Sequence, residues 1–326
     1  VLPTNSMATE HLLDPELRPL LDFYPDKFTF SRDMLPRHRA ERAKRIIMGD
    51  TERAGVSRNT IEVPGFNGPN VSCLLYQPDQ AQPGRPGYLH IHGGGYIGGS
   101  AEASDIQNLN IARKLNTTVL SVNYRLSPEC SIPGPLDDCY AALAWFSTNS
   151  TSLGVDPSLI AIGGESAGGG LAAALGIIAR DRAEYDVCHQ HLTYPMLDNL
   201  TGSSVHEVDP LVGEFVWTRE HNQFGWECYL GDAEPIAPHV PARLNDFSNL
   251  PPTWMFTAAL DLFRDENIRY AESLLQAGVA TDLIVYPGAC HGFQFVPGSR
   301  LSKRFTRDHL EGLARGLGVN MENITT

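Results

Sequence analysis

Basic residues are scarce in this chain: 25 lysines and arginines stand against 38 aspartates and glutamates, for a formal net charge of −13. Nucleic acid and anionic membrane surfaces both require basic patches, so neither is expected as a partner. No stretch approaches 18 uninterrupted apolar residues, so no membrane span is expected. Residues 1–10 lack a basic region followed by an apolar one, so no signal peptide is expected either. The six cysteines, Cys73, Cys130, Cys139, Cys188, Cys228 and Cys290, form no C-x-x-C pair and do not cluster with histidine. They read as reduced thiols of a cytoplasmic protein, with no metal site and no disulfide frame. Internal repeats and low-complexity tracts are missing too.

What is present is ample material for a core. A chain of 326 residues, 42% hydrophobic and 19% charged, can bury one large domain or two. The pivotal stretch is 160–169. The apolar run Leu159–Ile162 predicts a buried strand, and the small and apolar run Ala167–Ala179 predicts a helix. Between them Gly164-Glu165-Ser166-Ala167-Gly168 fits G-x-S-x-G in the strand–turn–helix setting that pattern needs. Such a turn strains the serine backbone, and glycine is needed two residues either side of it. The hydroxyl would stand at the tip of the sheet, at a helix N-terminus that favours developing negative charge. An ordinary Gly-rich connection would look the same over five residues, so a base, an acid and an oxyanion hole must be found elsewhere.

Residues 1–50 have helical patterning, Asp14–Leu21 and Arg37–Met48, cut by Pro15, Pro19, Pro25 and Pro36. From residue 60 the period changes. Strands are expected at Thr60–Val63, Val71–Tyr76, Gly87–His92, Thr117–Tyr124, Leu159–Gly163, His191–Tyr194, Thr253–Thr257 and Thr281–Tyr286. Helices are expected at Ile106–Leu115, Leu136–Thr148, Ile268–Ala277 and Lys303–Leu317. This alternation makes the fold class α/β: an eight-stranded, mostly parallel sheet with helices on both faces. Residues 201–250, rich in aromatics and proline, break the alternation. The expected organisation is therefore core at 51–200 and 251–326, with a cap made from 1–50 and an insert at 201–250.

The chemistry follows the same order along the chain. A serine hydroxyl is a poor nucleophile until a base takes its proton. His291 follows the last strand and Pro287-Gly288, where such a base belongs; His38, His206, His221, His239 and His309 are assigned to cap, loops or surface. The carboxylate that orients the base is Asp261, just past an apolar strand. Asp265 and Glu266 compete, but acidic residues one turn later are common helix N-terminal charges. The oxyanion hole is expected from Gly94 and Gly95, with Gly93 as the substitute, together with the amide of Ala167. His92 is expected to bond the loop backbone. Arg125, Glu129 and Asp138 are expected to form a polar network near the elbow.

The motifs His92-Gly93-Gly94-Gly95, Tyr124-Arg125-Leu126-Ser127-Pro128-Glu129, Gly164-Glu165-Ser166-Ala167-Gly168-Gly169, Asp261-Leu262-Phe263-Arg264-Asp265-Glu266 and His291-Gly292-Phe293 resemble those of the hormone-sensitive-lipase-like, bacterial family IV carboxylesterases. The resemblance spans about residue 60 to the C-terminus. It implies an α/β-hydrolase fold with a helical cap, no cofactor, and a serine esterase acting on short-to-medium acyl esters through an acyl-enzyme. It maps the catalytic residues onto Ser166, Asp261 and His291, and the oxyanion donors onto Gly94, Gly95 and Ala167. Glu165 stands where many relatives have Asp, and Ser127 where many have Ala. A homodimer through the edge strand Thr281–Tyr286, as in some relatives, is left open.

Phe23, Phe28, Phe215 and Trp217 are candidates to line a substrate pocket, and so are Tyr24, Phe30, Phe224 and Trp226; each could equally be core. Cys290, beside the base, is either an inert buried thiol or an exposed one that admits inhibitors. An amidase or deacetylase with the same triad, and a non-catalytic binder on the same fold, are the competing readings.

Overall fold

The computed structural model describes residues 8–23, 30–50, 54–79, 83–205 and 209–320. In chain order these form α1 (Pro19–Phe23), α2 (Leu35–Ala43), β1 (Val56–Val63), β2 (Val71–Pro78), β3 (Arg85–Ile91), α3 (Asp105–Leu115), β4 (Thr118–Val122) and α4 (Gly134–Thr148). There follow β5 (Val155–Glu165), α5 (Ala167–Arg182), β6 (His189–Thr193), α6 (Arg219–Leu230), β7 (Thr253–Ala258), α7 (Arg264–Gln276), β8 (Thr281–Tyr286) and α8 (Arg300–Gly316). Short 3-10 turns join several of them.

All eight strands make one sheet, ordered β1-β2-β4-β3-β5-β6-β7-β8. The pairs β1–β2 and β2–β4 are antiparallel and the remaining five are parallel. The interior strands β3, β4, β6 and β7 are buried along their whole length. Strands covered on both faces need no polar alternation, so β4 and β7 read as largely apolar runs, whereas β6 buries the polar side chains of His189, Gln190 and His191. Successive residues of β5 serve opposite faces: Ile160 and Ile162 pack with α4, α5 and α7, while Ala161 packs with α3 and α8.

Element ends differ from expectation where a terminus carries polar residues. Pro36 opens α2 instead of breaking it, because a proline in the first turn forfeits no helical hydrogen bond. That helix stops at Ala43, well short of Met48. α7 and α8 begin several residues earlier than expected, at Arg264 and Arg300; Ser299 accepts the Ser302 amide as the cap of α8. β5 starts at Val155, paired with Arg85, then slips register before Ile160 meets Gly87. His309, expected at the surface, is 3% exposed and faces the sheet from α8.

Candidate active site

The sheet's carboxyl edge collects the functional side chains. β5 runs out at Glu165, Ser166 takes φ 55° and ψ −117°, and α5 starts at Ala167. A non-glycine residue in that region is strained, and the neighbourhood holds it there. The Ser166 amide donates to Thr193 at 2.9 Å, and its carbonyl accepts from Gly170 and Met196, both at 2.9 Å. The flanking glycines answer to β3: a Cβ at Gly164 or at Gly168 would lie 2.1 Å from the Ile91 carbonyl oxygen.

His291 lies on the loop after β8, and Asp261 just past β7. The structure brings both to Ser166. His291 Nδ1 is 2.7 Å from Asp261 Oδ2, and Nε2 is 3.1 Å from Ser166 Oγ. An ionised carboxylate only accepts, so Nδ1 carries the ring proton and Nε2 is free to accept from the hydroxyl. Asp261 is itself fixed, with Oδ1 accepting from the Phe263 amide at 2.9 Å. It is 1% exposed, and Ser166 and His291 are 6% and 7% exposed. The arrangement can move a proton from hydroxyl to imidazole in a nearly dry site.

The competing carboxylates fall elsewhere. Asp265 is half-buried and bonds Arg264 at 2.7 Å. Glu266 is no surface charge at a helix start: it is buried, accepts from the Leu197 amide at 2.7 Å, and burial pushes its carboxyl well above the usual range. The positions 266, 270 and 274 share one helical face and are all buried, a spacing that could have flagged it.

The glycine loop follows β3. Gly94 and Gly95 have φ of +135° and +63°, conformations that side chains rarely allow. The Gly94 carbonyl accepts from Ile97 and Gly98, which folds the loop back on itself. A Cβ at Gly93 would lie 3.5 Å from Ser166 Cβ, so the loop passes directly beside the serine. Ala167 is the first residue of α5, and its amide has no helical carbonyl behind it. His92 is buried, stacks on Tyr124 at 4.3 Å and bonds the Gly93 carbonyl at 2.9 Å through Nδ1. Burial pushes it down to about 4, so it holds the loop as a neutral ring.

The partners of one support were not legible. Glu165 is buried and receives His90 Nε2 at 3.0 Å on both oxygens and Gln107 Nε2 at 2.8 Å. Burial alone would raise this carboxyl; His90 and Gln107 outweigh it and hold it below the usual range. An ionisable residue at the buried end of a strand needs a partner, and that need was the only signal. The expected network of Arg125, Glu129 and Asp138 divides. Arg125 grips Asp138 at 2.8 Å, whereas Glu129 pairs with Arg39 of α2 at 2.8 Å. Arg39 also donates to the carbonyls of Ile97 and Ser127.

Among the aromatic candidates, Trp217 is nearest the chemistry. Its ring stands 6.5 Å from that of His291, and a Cβ at Gly95 would be 2.2 Å from its Cη2. Phe30 packs on Trp217, His221 and Phe224. Phe215 belongs to the core with Tyr194, Phe256 and Phe293, and Trp226 packs on Tyr96 and Tyr229. Tyr24 and Phe28 lie outside the described residues, as does the side chain of Phe23. Cys290 is fully buried, and burial pushes its thiol far up, so the exposed-thiol reading is overturned.

Known proteins are similar to this chain in sequence and fold. A model of the alpha/beta hydrolase fold matches residues 88–295. The carboxylesterase NlhH of Mycobacterium tuberculosis is 32% identical over 284 residues, covering 86% of this chain and 88% of that protein. A structure described as a bacterial heroin esterase superposes with a TM-score of 0.86 at 39% identity, covering 95% of this chain and 99% of the other. The esterase LipW of Mycobacterium marinum superposes at 0.84 with 32% identity, covering 95% and 97%. No helix among the described residues is long and apolar enough to cross a membrane.

Proposed function

This chain belongs to the α/β-hydrolase family as a carboxylic ester hydrolase of the hormone-sensitive-lipase-like group, and we propose that Ser166, His291 and Asp261 carry its chemistry. The observation behind the assignment is the unbroken hydrogen-bonded line from Ser166 Oγ through His291 to Asp261. Ser166 attacks the ester carbonyl carbon while its proton passes to His291 Nε2. The carbonyl electron pair moves onto oxygen, where the amides of Gly94, Gly95 and Ala167 receive it. The C–O bond to the alcohol then breaks, and His291 returns the proton to the leaving oxygen. Water repeats the sequence on the acyl-enzyme, with His291 as base again. Asp261 keeps the proton on Nδ1 and steadies the imidazolium.

The substrates are esters with short-to-medium acyl chains. Support comes from Trp217, whose ring occupies the space against Gly95. We read residues 51–200 and 251–326 as the catalytic core, capped by 1–50 and 201–250; the bonds of Arg39 to the loop carbonyls favour this. The six free cysteines suit a cytoplasmic location. A homodimer would use β8, which is paired on one side only.

Hydrolysis of p-nitrophenyl esters of increasing chain length tests the reading. Ser166→Ala should lower turnover by at least ~10³-fold, and the wild-type optimum should fall at short chains. Activity of Ser166→Ala within about tenfold of wild type would remove the serine assignment. An optimum at long chains would remove the substrate assignment.

A further inference from the structure

Asp261 and Ser166 occupy the two nitrogens of His291, and a third neighbour covers one face of the ring. Tyr194, the first residue after β6, has its ring centroid 4.2 Å from that of His291, with the planes inclined at 43°. Edge-to-face pairs around it stand farther apart: Tyr194–Phe256 at 5.1 Å and 78°, Phe263–His291 at 5.3 Å and 84°. At 4.2 Å the imidazole meets the π face of the tyrosine and not its rim. Tyr194 is 2% exposed and firmly held. Its amide donates to Phe256 at 3.0 Å, and its backbone has φ +33°. Gln294, on the turn that follows His291, donates to its phenol oxygen.

We propose that Tyr194 is a positioning residue whose ring face stabilises the imidazolium form of His291 during ester hydrolysis. This rests on the assignment of His291 as the base. An aromatic face attracts a cation within about 6 Å of its centroid and does little for a neutral ring. The attraction therefore arises only after the Ser166 proton has reached Nε2, in the transition states of acylation and deacylation. An interaction confined to the transition state raises kcat and leaves substrate binding unchanged. Its size should be roughly threefold to thirtyfold in rate, the range for a partly desolvated cation over a ring. The tether through Gln294 sets the ring's angle, and the face supplies the effect.

The test compares Tyr194→Phe, Tyr194→Leu and Tyr194→pentafluorophenylalanine, with thermal melts to show that each is folded. Pentafluorophenylalanine keeps the ring shape but reverses the charge on its face, so it probes the proposal even if the leucine variant does not fold. Tyr194→Phe should keep kcat within about threefold, while the other two should lower it roughly tenfold with KM unchanged. Two results would overturn the proposal. One is a folded pentafluorophenylalanine variant with the kcat of Tyr194→Phe. The other is a loss in Tyr194→Phe as large as in Tyr194→Leu, which would credit the phenol tether instead. His291→Asn, measured alongside, separates the two levels: if it kept full activity, the base assignment would fall and the role of Tyr194 with it, whereas a large loss in His291→Asn together with either result above would remove the role of Tyr194 alone.

Discussion

Acidification should unfold this protein well above the pH at which carboxylates protonate. Burial pushes His92, His189 and His309 down to about 4 from the ordinary 6.5. His191 is also pushed well below the ordinary value, through burial first and then its neighbours His309 and His189. Its Nε2 is 3.0 Å from His309 Nδ1, and its ring stacks on Trp254 at 4.1 Å. These rings stay neutral in the fold and charge in the unfolded chain. The folded value lies below the unfolded one, so the stability is complete above pH 6.5 and drains away as pH falls toward 4. Each of the first three histidines accounts for about 3 kcal/mol over that window, and for about 2 kcal/mol by pH 5. Together they remove about 6 kcal/mol by pH 5, comparable with the ~5–15 kcal/mol that holds a typical domain. Glu266 acts the other way. Its folded value is raised by burial, so its contribution is present at low pH and lost as pH rises. One carboxyl does not offset four imidazoles. Glu165, held low by its partners, adds to the acid loss only below about 4.5. Urea titrations followed by tryptophan fluorescence at pH 8, 7, 6 and 5 measure the slope, with Trp254 as a built-in reporter of the cluster. The expected slope near pH 5 is about 4 kcal/mol per pH unit. Stability constant within about 1 kcal/mol from pH 7 to 5 would refute the reasoning.

Three further outcomes follow from named contacts. Glu165→Ala leaves His90 buried without its acceptor and should cost about 3 kcal/mol in urea titrations; Glu165→Gln, which can still accept from His90, should cost clearly less. Gly95→Ala forces a Cβ to 2.2 Å from Trp217 at a positive φ, and with an oxyanion donor displaced kcat should fall by roughly 10²–10³; a fall of less than threefold would take Gly95 out of the oxyanion hole. Cys290, fully buried with its thiol pushed far up, should not react with an aromatic disulfide reagent in the native enzyme at pH 7.5, and stoichiometric labelling of Cys290 without unfolding would contradict its burial.

The sheet was readable where strands covered on both faces carry largely apolar runs, as β4 and β7 do; β6, with His189, Gln190 and His191 buried, carries no such run. The elbow was readable because one backbone turn demands glycine at Gly164 and Gly168. What the sequence hid are pairings between distant residues. Arg39 and Glu129 meet across 90 positions, and nothing local to either marks the other. His90 reads as one more strand residue until Glu165 is found against it. His309 was misplaced although a signal existed: Ser302, Phe305, His309 and Leu313 fall on the buried face of α8 at helical spacing. The charged residues between them masked it. Nothing in the sequence marks Tyr194, because an aromatic residue at a strand end is ordinary core; the 4.2 Å approach to His291 distinguishes it.

The most direct measurement is the site of covalent capture. A fluorophosphonate is displaced by an activated serine, and peptide mass spectrometry locates the adduct. The expected result is one adduct, on Ser166, formed at least ~10²-fold more slowly in His291→Asn. An adduct on another residue, or labelling of Ser166 at an unchanged rate without the imidazole, would contradict the assignment of this serine and this histidine as nucleophile and base.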